Sequence, residues 1–398
     1  MMPISEKIQS IATSPTLAID EKVKIMQGEG VDVIGFGAGQ PDFDTPDHIK
    51  EAAVKAIADG FTKYTPASGT KELKESICRK LLKDNSLEYS PANIVVSNGA
   101  KQCLVNALMA ICNPGDEVIL PAPFWVSYPE MIKIADGIPV VLHTTEEQHF
   151  KFTVDDLKKK ITGRTRAVII NSPSNPTGML YTHAELKEIG ELAVEKDFYI
   201  ISDEIYEKLV YGDAKHVSIA AISDEIKERT ILVNGLSKSH SMTGWRIGYT
   251  ASNAAVAKAI GNLQSHVTSN PNSIAQKAAV AALDGPQECV EMMRKTFEQR
   301  RDYMVERINS IEGLSCTKPA GAFYVMMNVS ALFGKDFYGY QIEDSNDFCE
   351  ALLEVAKVAA VSGVGFDANG FVRLSYATSM KNIEEGLNRI ERFLKKEF

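Results

Sequence analysis

The middle of the chain alternates short, nearly continuous apolar runs with stretches in which apolar residues recur every three or four positions. The runs are Ile94–Ser97, Glu117–Leu120, Ile138–Leu142, Ala167–Ile170, Phe198–Ser202 and Ile231–Val233. They are rich in β-branched residues and too short for helices, so each predicts a strand. Helical periods lie between several of them: one follows Asn98-Gly99-Ala100 and runs through Ile111, and another covers His183–Lys196. Strands apolar on both faces and alternating with helices predict an α/β fold whose mostly parallel sheet is sandwiched by helices.

After Gly285-Pro286 the texture changes. A long charged amphipathic helix is expected from about Gln287 to Ser310, then a smaller α/β segment and a final helix. The expected division is an N-terminal arm over 1–44 that packs with the small domain, a large domain over 45–285 and a small domain over 286–398. There is no internal repeat and no low-complexity tract.

Composition narrows the function classes. The 398 residues are 44% hydrophobic and 24% charged, ordinary for a soluble globular protein, with a formal net charge of -9. That charge argues against a general nucleic-acid or membrane-surface role, while leaving room for a local basic pocket. The six cysteines (Cys78, Cys103, Cys112, Cys289, Cys316, Cys349) are scattered without a C-x-x-C pair. This suits reduced thiols better than a disulfide framework or a zinc site, and no metal is expected. The N-terminus has no long apolar h-region and no stretch is long enough to cross a bilayer, so a cytoplasmic location is expected.

One segment, Asn234–Tyr249, carries unusual chemistry. It sets Lys238 among hydroxyls and glycines just after the apolar run Thr230–Asn234, with Arg246 before a second run, Ile247–Thr250. A lysine between two buried strands can be desolvated, its pKa lowered, and can form a Schiff base with a carbonyl. The hydroxyls and Arg246 suit a phosphate. An amine nucleophile beside a phosphate site points to pyridoxal 5'-phosphate (PLP), which carries both an aldehyde and a phosphate. The alternative is a basic surface loop whose glycines only make turns.

In parallel sheets ligands collect beyond the carboxyl ends of the strands, where this chain has further polar residues. Asn98-Gly99-Ala100-Lys101 follows one strand and opens a helix, so its backbone N–H groups suit a phosphate, or merely make a turn. Asn171-Ser-Pro-Ser-Asn-Pro-Thr-Gly178 reads as a rigid loop that fixes Asn175 as a donor, or as a proline-rich connector. Asp203-Glu-Ile-Tyr206 places an acid at the end of a buried strand, where it needs a partner. Asp203 can meet a protonated ring nitrogen and Tyr206 can donate to a phenolate oxygen; the alternative for Asp203 is a helix N-cap.

Together, Asn175, Asp203, Tyr206, Lys238 and Arg246 strongly resemble the aspartate-aminotransferase family of PLP enzymes (fold type I). Further matches are Gly37–Phe43, Tyr64–Thr70, Phe124–Tyr128 and Gly370–Ser375, so the resemblance runs from about residue 10 to the C-terminus. It implies that Lys238 forms the Schiff base with the cofactor and that Asp203 holds the pyridinium proton. Asn175 and Tyr206 are then the pair on the phenolic oxygen, and Trp125 the stacked aromatic. Ser237, Arg246 and the Gly99-Ala100-Lys101 backbone are implied as the phosphate cup. Tyr64 is implied to reach the phosphate in the neighbouring subunit, which makes the protein a homodimer with shared sites. Arg373 resembles the arginine that grips the substrate α-carboxylate, and Gly39 would supply backbone there. Ping-pong transfer between amino acids and 2-oxo acids follows from the resemblance.

Substrate choice rests on one departure. Where some family members carry a partner-contributed arginine before Ser-Asn-Pro, this chain has Gln264–Pro271, with none. It resembles most the bacterial branch that reads the distal carboxylate with a lysine, the place Lys101 occupies. Ser14-Pro-Thr16 resembles a segment closing over substrate, with Thr16 among the substrate contacts. Members that also take prephenate tend to carry a basic residue just upstream, where this chain has Ala12. The leading expectation is an aminotransferase for L-aspartate with 2-oxoglutarate. Alanine, aromatic or prephenate aminotransferases and a carbon–sulfur β-lyase are the rivals within the fold. A dinucleotide-binding dehydrogenase is disfavoured because Gly35-Phe-Gly-Ala-Gly39 lacks the third glycine at the right step. A non-enzymatic regulator of this fold would need an added DNA-binding domain, for which the residues before 10 leave no room. His240 and His266 are expected to be neutral, packed histidines without a role.

Overall fold

The structure, a computed structural model, describes every residue except Met1, Pro3 and Ser14, and every side chain of the rest except those of Pro15, Leu17 and Asp20. Helices α1 (Glu6–Gln9) and α2 (Pro15–Gly28) lead into the short strand β1 (Ile34–Gly35), followed by α3 (Asp47–Ala58) and α4 (Lys71–Asn85). The strand–helix alternation then begins with β2 (Ile94–Ser97), α5 (Ala100–Ile111), β3 (Glu117–Ala122), α6 (Tyr128–Ile134) and β4 (Ile138–His143). It continues through α7 (Val154–Lys158), β5 (Thr165–Asn171), α8 (His183–Lys196), β6 (Tyr199–Asp203), α9 (Asp224–Arg229), β7 (Thr230–Gly235) and β8 (Gly248–Ala251). Helices α10 (Ala254–Val267) and α11 (Ser273–Asp284) close this part of the chain.

Strands β2 to β8 form one seven-stranded sheet in the order β2-β8-β7-β6-β5-β3-β4. All neighbours run parallel except β8, which is antiparallel to both β7 and β2. The exception has a local cause. Residues 236–247, between β7 and β8, hold only irregular turns and one 3-10 turn, Thr243–Trp245, with no crossover helix to carry the chain back, so it returns antiparallel. The carboxyl ends of β2, β5, β6 and β7 and the start of β8 therefore meet at one edge: Ser97 pairs with Gly248, which pairs with Gly235, and Asn171 pairs with Asp203.

Both faces of the sheet are buried, with the alternation of a pleated strand. Ala167, Ile169, Ile201, Ile231 and Val233 pack under α5, α6 and α10, whereas Val168, Ile170 and Ile200 pack against α8. Ile94, Val96, Leu232 and Ala251 extend that second face under α3, α4 and α11. The helix expected over His183–Lys196 has those bounds and is opened by a Thr182–Glu185 capping box.

The long helix α12 runs Glu288–Ser310, and β9 (Ser315–Cys316), β10 (Tyr324–Asn328), β11 (Asp336–Phe337) and β12 (Tyr340–Gln341) follow. Then come α13 (Ser345–Ala356), β13 (Val358–Ala359), β14 (Val361–Ser362), β15 (Phe371–Ser375) and α14 (Met380–Leu394). A second, antiparallel sheet has the order β14-β15-β10-β9, and its core includes Ile383, Leu387, Ile390 and Phe393 from one face of α14. Strand β1 pairs in parallel with β13, tying the N-terminal arm to this carboxy-terminal part. All six cysteines are free, and among the described residues no helix is long and apolar enough to cross a membrane.

Candidate active site

A cavity of about 360 Å³ opens at the carboxyl edge of the seven-stranded sheet and is closed from the other side by β10 and β15. Its size is that of a site for a small organic ligand. Of the residues the sequence singled out, Thr16, Gly39, Ala100, Lys101, Trp125, Asn175, Asp203, Tyr206, Ser237, Lys238, Arg246 and Arg373 line it. Gly99 and Tyr64 do not, and Ser14 lies outside the described residues.

Lys238 enters from the β7–β8 connector, and its Nζ donates to Gly39 O at 2.5 Å. Burial pushes its pKa down to about 8, and the charges of Arg246 and Arg373 push the same way against the pull of Asp203. The amine is thus far closer to its neutral, nucleophilic form at physiological pH than an ordinary lysine.

Asp203 is the last residue of β6 and only 3% exposed. Turns rather than a helix follow it, so it is not an N-cap. Its carboxylate accepts from Tyr128 Oη at 2.7 Å and from Ile205 N at 3.2 Å. Burial raises its pKa to about 6, while those two hydrogen bonds hold the anion. The adjacent Glu204 faces a different environment, accepting from Ser202 and Ser218 and meeting His216 Nε2 at 3.0 Å. Glu204, Glu207 and His216 have ligand atoms within 4.8 Å of one another. Glu207 is already ion-paired with Lys80 and accepts from Asn85, which competes with any added cation.

Arg373, on β15, is a buried cation. It donates to Asn175 Oδ1 at 3.0 Å and to Gly37 O at 2.8 Å, and its guanidinium lies 4.4 Å from the centre of the Tyr324 ring. With its oxygen engaged, Asn175 keeps its amide N–H groups for a ligand. Tyr206 Oη is 3.1 Å from Tyr324 Oη.

The opposite end of the cavity is basic. Helix α5 starts there, and a helix start leaves its first N–H groups without intrahelical acceptors. Gly99 has φ +84 and a Cβ on it would lie 2.4 Å from an Arg246 guanidinium nitrogen, so only glycine lets the turn and the arginine sit together. Arg246 is held by the carbonyls of Thr243 and Asn98. Lys101 reaches across to Ser127 Oγ at 3.2 Å and over the Trp125 ring at 4.8 Å; loss of water around its ammonium and the Arg246 charge lower its pKa.

Tyr64 is 91% exposed on its own chain. His240 is buried, its pKa pushed down to about 4 by burial, as a packed neutral histidine requires. His266 corrects the expectation: it is exposed on α10 rather than packed, because that face of the helix is not covered within the chain. Among the lining residues that were not assigned a role from sequence are Tyr128, Ser127, Thr243 and Tyr324. Tyr128 was within reach, since Phe124–Tyr128 stood out as a motif, but its partner is 75 positions away.

The aminotransferase class I and II family matches residues 31–390. The aspartate aminotransferase of Geobacillus stearothermophilus is 53% identical over 99% of both chains. Among solved structures, an aspartate aminotransferase from Rhizobium meliloti superposes with a TM-score of 0.96 at 42% identity, covering 100% of each chain. That of Thermus thermophilus with maleate gives 0.93 at 42% identity over 99% of this chain and 100% of its own. Sharing both sequence and fold with these proteins from end to end, the chain belongs to the class I and II aminotransferases.

Proposed function

We propose that this chain moves the amino group of L-aspartate to 2-oxoglutarate, forming oxaloacetate and L-glutamate, with PLP as cofactor. The observation that carries the reading is the Lys238 amine, its pKa lowered to about 8, in one cavity with the buried Asp203 carboxylate and the Arg373 guanidinium. The names of the relatives supply the substrate. The donor set fits the cofactor group by group: N–H groups at the α5 start, Ser237 and Arg246 for a phosphate, Asn175 and Tyr206 for a phenolate oxygen, Asp203 for a ring N–H, and Trp125 for the ring face. When bound, the cofactor supplies an electron sink conjugated to the substrate's amino carbon.

The chain's own residues do the rest. Asp203 keeps a proton on the ring nitrogen by its negative charge, and Tyr128 keeps Asp203 ionised by donating to it. Arg373 binds the α-carboxylate through its planar fork. Lys238 Nζ, as a free amine, would take the proton from the substrate Cα and deliver it to the cofactor's former aldehyde carbon, two atoms away across the amino nitrogen. Lys101 attracts the distal carboxylate. Oxaloacetate leaves before 2-oxoglutarate enters, because both need the same cavity, so the kinetics are ping-pong. We take the division into 1–44, 45–285 and 286–398, the cytoplasmic location and the homodimer, with Tyr64 serving the partner's phosphate, as parts of the same reading. The β1–β13 pairing and the exposure of Tyr64 support it.

The test is direct. Purified protein should be yellow, with a pH-sensitive band near ~400 nm that borohydride bleaches, leaving cofactor mass on Lys238. A protein that takes up no PLP would refute the reading. Lys101→Ala should raise the aspartate KM by ~10- to 100-fold while moving the alanine KM little; equal shifts would remove Lys101 from substrate recognition.

Tyr128→Phe should shift the acid limb of kcat/KM to higher pH. The Tyr128 hydrogen bond lowers the pKa of Asp203, so its loss lets the carboxylate protonate at a higher pH than in the wild-type protein. Measuring kcat/KM against pH reads this, and an unmoved acid limb would count against Asp203 as the controlling group.

A further inference from the structure

Helix α10 buries Val256, Ala257 and Ile260 and, at the same spacing, one polar residue, Gln264. Gln264 is 0% exposed and does not line the cavity. A glutamine in a core is costly unless every polar atom is partnered, and here each is. Oε1 accepts from Ser97 Oγ at 2.5 Å and Asn106 Nδ2 at 3.1 Å. Nε2 donates to Ala67 O at 2.6 Å and Val96 O at 2.7 Å.

Asn106 lies on α5, and the other three partners belong to two segments, the end of β2 and residues 64–70. Ser97 ends β2 and leads into the Asn98-Gly99-Ala100 turn at the basic end of the cavity. Ala67 belongs to the 64–70 segment that carries Tyr64. The two are laid side by side, since Val96 N donates to Ser68 O at 3.0 Å. At Gly69, φ +99, a Cβ would fall 2.7 Å from Val96 Cγ2, so the approach requires glycine. The far side of the turn is tied to the same helix end: Asn98 N donates to Gln102 Oε1 at 2.7 Å, and Gln102 Nε2 donates to Thr268 Oγ1 at 2.9 Å.

We propose that Gln264 is a positioning residue for phosphate recognition, holding the Ser97–Ala100 turn of its own site and, through Ala67, the segment that presents Tyr64 to the partner. This rests on the reading of that turn and of Tyr64 as phosphate-binding groups. A leucine of similar size would fill the space but remove the Gln264 acceptor of Ser97 Oγ and Asn106 Nδ2 and the donor to the Ala67 and Val96 carbonyls, so the turn would lose its fixed geometry.

The experiment compares PLP with pyridoxal, which has the aldehyde and ring but no phosphate. Affinities of both are measured by absorbance titration of the stripped, full-length protein. Gln264→Leu is expected to weaken PLP by about tenfold while changing pyridoxal by less than about twofold. Ser97→Ala, which removes one bond and no volume of consequence, should weaken PLP alone by about threefold and serves if the leucine variant does not fold. Equal weakening of both ligands, or of neither, overturns the proposal, because a residue that only stabilises the core has no means to single out the phosphate. In a Tyr64→Phe background the Gln264→Leu effect on PLP should shrink; full additivity overturns the part of the proposal that runs through Ala67. A wild-type protein that binds neither ligand refutes the site reading itself, a result distinct from any of these.

Discussion

Lys238→Ala is expected to lower kcat by about 10⁴-fold or more with aspartate as donor, while the protein still binds PLP without a covalent bond. Two functions are lost together: the amine that engages the aldehyde, and the base that moves the proton at Cα. Arginine does not replace it, because a guanidinium stays protonated where this amine is held near a pKa of about 8. The lysine also destabilises the empty protein, with a definite sign. Its pKa falls from the ordinary 10.5 to about 8 on folding, so between those values the unfolded chain binds more protons and stability rises with pH. Below pH 8 the full penalty of burying the ammonium is present. A Lys238→Met apoprotein is therefore expected to melt at a higher temperature than the wild-type apoprotein at pH 7, with the gap closing as pH approaches 10.5. Melting curves of both cofactor-free proteins across that range check it; a gap that does not depend on pH would mean the amine is not desolvated.

Lys238 was legible in the sequence because everything unusual about it is local: one connector, two apolar runs, hydroxyls and an arginine within a few residues. The same holds for Asp203 at the end of Phe198–Ser202 and for Asn175 in its proline-bounded loop. The sheet was legible for a related reason, since strands buried on both faces print near-continuous apolar runs. The reversal of β8 was harder. It depends on a connector without a crossover helix, which apolar periodicity does not report. The partners of the site were hardest, because they are joined only in space. Tyr128 meets Asp203 across 75 positions, and Gln264 meets Ala67 across 197. In the sequence Gln264 mattered only as the start of a stretch lacking an arginine; its burial and its four hydrogen bonds belong to the folded chain. His266 went the other way, since no local signal tells a packed histidine from an exposed one on the uncovered face of a helix.

Arg373→Leu is expected to lower kcat/KM for aspartate by about 10³- to 10⁴-fold, and Arg373→Lys by a smaller but still large factor of ~10². The geometry explains why both should be severe. Arg373 is 1% exposed, its Nη1 and Nη2 donate to Asn175 Oδ1 and Gly37 O, and its guanidinium lies 4.4 and 5.1 Å from the centres of the Tyr324 and Phe366 rings. A carboxylate arriving there meets donors already oriented, with little entropy left to lose. Lysine brings a charge but not the planar pair of N–H groups, and it cannot satisfy Asn175, Gly37 and a substrate at once. Leucine removes the charge and leaves Asn175 Oδ1 without its donor, so the amide is free to turn away from the oxygen it would otherwise serve. The control separates recognition from collapse of the site. With a primary amine that lacks an α-carboxylate, wild type and Arg373→Leu should deliver the amino group at rates within about threefold of each other, since the interaction removed was one that substrate never made. If the variant loses activity toward the amine as steeply as toward aspartate, Arg373 supports the architecture of the cavity rather than reading the carboxylate.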